Sequence, residues 1–116
     1  MMQAWYAILV RSNFEHRTNT YLASNGYNTF LPTYREHRRW SDRPKQVDVP
    51  LFRGYVFCQM DVQQRLPIMQ APGVVGLVGF GNTFPPVPDE EIAAIRTIVS
   101  SSSFTRPHPY LSLIHI

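Results

Sequence analysis

The chain is 116 residues long, enough for one domain with a single core, and its 44% apolar and 16% charged content excludes a disordered segment. One cysteine excludes a disulfide framework and a cysteine-built zinc site, and no apolar run approaches the ~20 residues of a membrane span. With no signal-peptide pattern at the N-terminus, a cytoplasmic location is expected. The net charge is +3, and Arg35, Arg38, Arg39, Arg43 and Lys45 against Glu36 and Asp42 account for all of it. Charge localised in this way fits a polyanion partner or, alternatively, a solvated loop.

Residues 5–10, Trp-Tyr-Ala-Ile-Leu-Val, read as a strand, because β-branched and aromatic residues follow one another without a breaker. Ser12 and Glu15 have capping-box spacing, Phe14, Thr18, Tyr21 and Leu22 follow helical spacing, and Asn25-Gly26 supplies a stop. A helix over about 13–25 follows. Residues 27–40 read as extended, with Pro32 marking an edge or a bulge. The stretch 40–46 has turn composition, and Val47-Asp48-Val49 resumes the strand, so a long hairpin with a basic, Trp-bearing tip is predicted.

Residues 55–60, Tyr-Val-Phe-Cys-Gln-Met, read as a central strand whose aromatics Tyr55 and Phe57 share one face. Cys58 reads as a small buried hydrophobe. A shorter helix is expected within 61–73, with Asp61 and Gln64 at capping-box spacing and Pro67 in its first turn. A strand weakened by Gly76 and Gly79 follows over 74–80, then a short edge piece over 84–87. Pro88-Asp89-Glu90-Glu91 opens a last helix with an apolar stripe of Ile92, Ile95, Ile98 and Val99. The order β-α-β-β-α-β suits an α+β fold. It predicts an antiparallel sheet of about four strands with two crossing helices on one face, the split-βαβ (ferredoxin-like) arrangement, which leaves the other face open.

Catalytic chemistry has no constellation to work with. The four histidines, His16, His37, His108 and His115, have no metal-ligand spacing on ordered elements, and Asp89-Glu90-Glu91 is explained by a helix N-terminus. The expectation is a non-enzyme without cofactor or metal. An RNA-recognition-like module that binds single-stranded RNA is one binding alternative. Arg53-Gly54-Tyr55 and Phe57 match the start of its third-strand signature, but Val56, Met60 and the ring-free Ile8-Leu9-Val10 depart from it.

A wider match runs through Trp5-Tyr6, Phe14-Glu15, Pro50-Leu51-Phe52-Arg53-Gly54-Tyr55-Val56-Phe57, Ala71-Pro72-Gly73-Val74-Val75, Val78-Gly79-Phe80-Gly81 and the Pro-Val-Pro-Asp-Glu-Glu-Ile run at 86–92. In these motifs the sequence resembles the N-terminal (NGN) domain of NusG-type transcription elongation and antitermination factors, including RfaH-like specialised members. The family form has Pro where Arg53 stands, and the segment at Arg65, Leu66 and Pro67 lacks the His-Thr-Thr of RfaH-like members. The resemblance implies an apolar patch that docks on the clamp helices of the largest RNA polymerase subunit, here Leu9, Phe52, Tyr55, Phe57 and Phe80. It also implies a hairpin near upstream or non-template DNA of the transcription bubble, here through Arg38, Arg39, Trp40, Arg43 and Lys45. The expected function is non-catalytic suppression of pausing. The expected organisation is an NGN domain over 1–100, with 101–116 a linker and the truncated start of a C-terminal KOW domain, or a foreign tail. Ribosomal or termination partners would be reached only through that KOW domain.

Overall fold

The computed structural model describes residues 3–40 and 43–100, and within the hairpin strands it describes the side chains only up to 36 and from 47. The expected tail at 101–116 and the hairpin tip at 41–42 lie outside the described residues.

The order of elements follows the sequence closely. Strand β1 (Ala4–Val10) leads to helix α1 (Glu15–Ser24), then β2 (Asn28–Phe30), β3 (Thr33–Trp40), β4 (Arg43–Pro50) and β5 (Tyr55–Met60). A 3-10 turn (Val62–Gln64), the single-turn helix α2 (Leu66–Met69), strand β6 (Val74–Leu77) and helix α3 (Asp89–Val99) complete it. The main sheet has the order β2-β5-β1-β6, and every pair is antiparallel. Both β1-α1-β2 and β5-α2-β6 therefore join parallel strands separated by one intervening strand, which is the split-βαβ arrangement expected.

The faces of this sheet follow from alternation along β1 and β5. Tyr6, Ile8 and Val10 join Val56, Cys58 and Met60 on one face, where Leu22 of α1, Ile68 of α2 and Ala71 close the core. Trp5, Ala7 and Phe57 occupy the other face, and Ile92 and Ile95 of α3 pack onto them. The expectation of an open second face is therefore corrected. The third helix crosses to it, because its apolar stripe needs a partner and the first face is already filled by α1 and α2. Arg96 of α3 finishes the seal, its guanidinium 4.4 Å from the Phe30 ring centre and 5.7 Å from that of Trp5.

The long extended segment is broken at Leu31-Pro32, so β2 joins the main sheet while β3 pairs with β4 in a separate two-stranded ribbon. Pro32 is fully buried and lacks the N–H that continuous pairing would need. The ribbon also extends further than the turn composition implied. Its register runs from Thr33 opposite Pro50 to Trp40 opposite Arg43, with Pro44 tolerated because each strand has an unpaired edge.

Helix α1 starts without the expected capping box. Asn13 takes a left-handed φ of 68°, the N-cap falls on Phe14 with no side-chain cap bond, and the Glu15 carboxylate turns elsewhere. At the far side, the Thr18 hydroxyl donates to the Pro72 carbonyl at 2.6 Å and fixes α1 to the turn before β6. Gly73 in that turn has φ +83° and lies so close to Phe14 that a Cβ would meet its side chain at 2.6 Å. Asp61 does cap, accepting from the Gln63 N–H at 3.1 Å, but it caps the 3-10 turn.

Candidate functional site

The segment 51–54 turns the chain from the ribbon into the central strand, and three hydrogen bonds hold its far end at Gly54 and Tyr55. The Gly54 N–H donates to Glu15 Oε2 at 2.8 Å, Val10 N–H donates to the Gly54 carbonyl at 2.8 Å, and Tyr55 N–H donates to the Phe52 carbonyl at 3.2 Å. Gly54 takes φ +83°, which favours glycine at this point. Glu15 is only 5% exposed, yet its charge is matched by a backbone donor and by the positive end of α1. This buried carboxylate positions the turn that aims Phe52 and Tyr55. Sequence reasoning assigned it to capping, and its true partner is 39 residues away.

The five apolar candidates divide into three environments. Phe57 is fully buried under α3, with the Phe30 ring 6.1 Å away and the Phe52 ring meeting it edge-on at 6.0 Å. It belongs to the core and is removed from any contact surface. Its burial also removes the base-stacking platform that an RNA-recognition module requires on this strand. Phe52 is half-buried against Phe57.

Leu9 and Tyr55 are register partners one same-face pair beyond Ala7 and Phe57, and Tyr55 packs against the cluster to which α3 contributes Ile92 and Ile95. Leu9 is 37% exposed and Tyr55 half-buried. On its other side Leu9 faces Gly76 of β6, which has no side chain to shield it. Beside it the register shifts between Leu9 and Val10, and Val75 stands 60% exposed. The missed residues are thus Val75 and Gly76, whose value depends on a bulge and a register that periodicity does not show.

Phe80 is the most exposed large hydrophobe among the described residues, at 87%, on a tight turn where Phe80 and Thr83 exchange backbone hydrogen bonds at 2.9 Å each. Gly79 permits this turn, since a Cβ there would run into the Thr83 carbonyl. The Val78 N–H bonds the Ala7 carbonyl at 3.0 Å, so the chain has moved along β1 away from Leu9 before it reaches Phe80. Phe80 therefore stands on a separate turn, further along the sheet from the Leu9–Tyr55 pair.

The basic candidates Arg38, Arg39, Trp40, Arg43 and Lys45 lie on the distal strands of the ribbon, where the register sets Arg38 opposite Lys45 and Trp40 opposite Arg43. Their side chains lie outside the described residues. Nearer the base, Arg35 faces Asp48 at 3.9 Å in a well-exposed pair. Among the described residues no group of three or more His, Cys, Asp or Glu could hold a metal, and no helix is long and apolar enough to cross a membrane. Burial pushes the Cys58 thiol up to about 12, which makes it an inert core group.

Comparison with known families decides the assignment. The family described as transcription termination factor NusG matches residues 3–96, most of the chain. The chain belongs to the NusG family. The motif resemblance is thereby borne out over 3–96, and the α+β sheet with its flanking helices is the NusG N-terminal fold. Among solved structures, this NusG-family chain matches one of NusG from Thermotoga maritima, reported for its domain interaction, at 24% identity and a TM-score of 0.60. The match covers 90% of this chain and 61% of that one, so the chain spans under two-thirds of that protein's length. No curated protein sequence matches.

Proposed function

We propose that this NusG-family chain is a non-catalytic transcription elongation or antitermination factor that docks on the clamp helices of RNA polymerase. The observation that carries the reading is the Leu9–Tyr55 pair, with Leu9 37% exposed and Tyr55 only partly buried, together with Val75 exposed on β6 and Phe80 exposed on the turn that follows it. A small apolar centre with half-exposed rings suits the hot-spot pattern of protein interfaces, in which a few anchors dominate. Phe52, whose carbonyl accepts from the Tyr55 N–H and whose ring meets Phe57 edge-on, completes the docking set from the turn held by Glu15.

In this reading the ribbon serves as the nucleic-acid arm. Arg38, Arg39, Arg43 and Lys45 neutralise phosphates of the upstream or non-template DNA, and Trp40 stacks on an unpaired base. Bound across both partners, the chain favours the active polymerase over its paused state through its differential affinity for the two. Ribosomal or termination partners would require a further C-terminal KOW domain.

The test is to add the purified chain to stalled and elongating RNA polymerase complexes and to measure association and pause lifetimes. Association with shortened pauses supports the proposal, and no association at micromolar concentration refutes it. A variant with Arg38, Arg39, Arg43 and Lys45 changed to Gln should still bind polymerase, but it should lose cross-linking to the non-template strand.

A further inference from the structure

Among the described residues the ribbon pairs with no strand of the main sheet. It joins the body through residues 31–32 and 51–54, tied together at the base by the Leu51 N–H donating to the Pro32 carbonyl at 2.8 Å. Above that base a cleft of about 410 Å³ separates β4 from the start of α1, lined among others by Asn13, His16, Val47, Asp48 and Arg53. Among the described residues a side-chain hydrogen bond crosses it, beside the buried Val49 of β4. His16 Nε2 lies 3.1 Å from the backbone carbonyl of Asp48. A carbonyl only accepts, so His16 must present its proton on Nε2. The Asp48 carboxylate is directed instead across the ribbon to Arg35. His16 therefore holds the strand itself and does not depend on the side chain at 48.

We infer that His16 is a positioning residue that fixes the angle of the β3–β4 ribbon to the main sheet. Leverage makes one bond matter. At ~3.3 Å per residue the bond acts ~7 Å above Pro50, whereas the distal end of β4 at Arg43 is ~23 Å above it. A shift of ~1 Å at Asp48 becomes ~3 Å at the far end by the same geometry. The open cleft gives the ribbon room to move once the tie is lost, and backbone pairing within the ribbon keeps it moving as one unit. His16 is exposed and outside both core clusters, so its removal should leave the core in place.

This inference concerns the fold and holds whether or not the ribbon meets nucleic acid. The experiment uses the full chain, ¹⁵N-labelled and weakly aligned, with backbone residual dipolar couplings measured for the main sheet and for residues 33–36 and 47–49. In the wild type one alignment tensor should fit both. In His16→Ala the sheet couplings should keep their values while the ribbon couplings shrink and no longer fit that tensor. His16→Gln, whose amide N–H can donate to the same carbonyl, should restore the common fit. A common tensor in His16→Ala overturns the inference, as does failure of His16→Gln to restore it. The wild-type tautomer, read from long-range ¹H–¹⁵N couplings, gives an independent check that needs no variant. Protonated Nε2 is required, and a ring protonated only on Nδ1 would also overturn it.

Discussion

Phe57→Ala offers the sharpest separation between a core residue and a docking residue. Phe57 is fully buried between Phe30, Phe52 and the Ile92–Ile95 stripe of α3. Truncating such a ring loses its transfer free energy and leaves a cavity under a helix, costing ~3–5 kcal/mol. With a urea slope of ~1.5 kcal/mol/M, the unfolding midpoint should fall by ~2–3 M. That is a large share of the ~5–15 kcal/mol that stabilises a typical domain, so much of the variant could be unfolded at 37 °C. Phe80→Ala removes a ring that is 87% exposed and should change stability by less than ~0.5 kcal/mol. The assay is equilibrium urea unfolding of both variants, followed by far-UV circular dichroism and tryptophan fluorescence. Midpoints that agree for the two variants would refute the placement of Phe57 in the core. Loss of partner binding in Phe57→Ala would report lost structure, and only the exposed residues can report docking.

Glu15→Ala should cost ~1–3 kcal/mol, because it strands the Gly54 N–H in a half-buried turn. Glu15→Gln keeps an acceptor and should cost less; equal midpoints for Glu15→Ala and wild type would contradict the tie. At Gly76 a Cβ meets nothing within 4 Å, so Gly76→Val should fold normally while crowding Leu9 and weakening polymerase binding. Unchanged affinity in the folded variant would remove Gly76 from the docking face. Cys58 ionises at 9.0 in the ordinary case and is pushed up to about 12 by burial. Between those values the unfolded chain has lost a proton that the folded chain keeps, so stability present below pH 9.0 should decline as pH rises toward 12. Cys58→Ala should show a shallower decline, and native Cys58 should resist iodoacetamide at pH 8 until denaturant is added; rapid alkylation of the native chain would contradict its burial.

Much of the fold was legible because each element carries its own local signal. The nearly unbroken apolar run at 55–60, the apolar stripe of α3 and the Pro32 break each depend on residues close in sequence. The side of the sheet on which α3 packs was not legible. An apolar stripe fixes which face of a helix is buried, not which of two sheet faces buries it. The same limit explains Phe57, which is fully buried under α3 while its period-2 neighbour Tyr55 is only partly buried against the same cluster. Glu15 shows a different failure. Ser12 and Glu15 have capping-box spacing, but the left-handed Asn13 shifts the helix start, and the carboxylate finds a donor supplied by tertiary structure. Exposure of Leu9 likewise depends on register, since Gly76 uncovers it only when the two are opposite.

The most direct measurement is the affinity of the chain for an isolated polymerase clamp-helix fragment, compared between wild type and Tyr55→Ala by calorimetry, with folding of both verified by circular dichroism. Loss of an anchor ring worth ~2 kcal/mol weakens binding by roughly 30-fold. Leu9→Ser should weaken it in the same direction, while Tyr21→Ala, exposed on α1 outside both core clusters, should leave it unchanged. Such a pattern would place the partner on the Leu9–Tyr55 face; equal affinities for wild type, Tyr55→Ala and Leu9→Ser would contradict it.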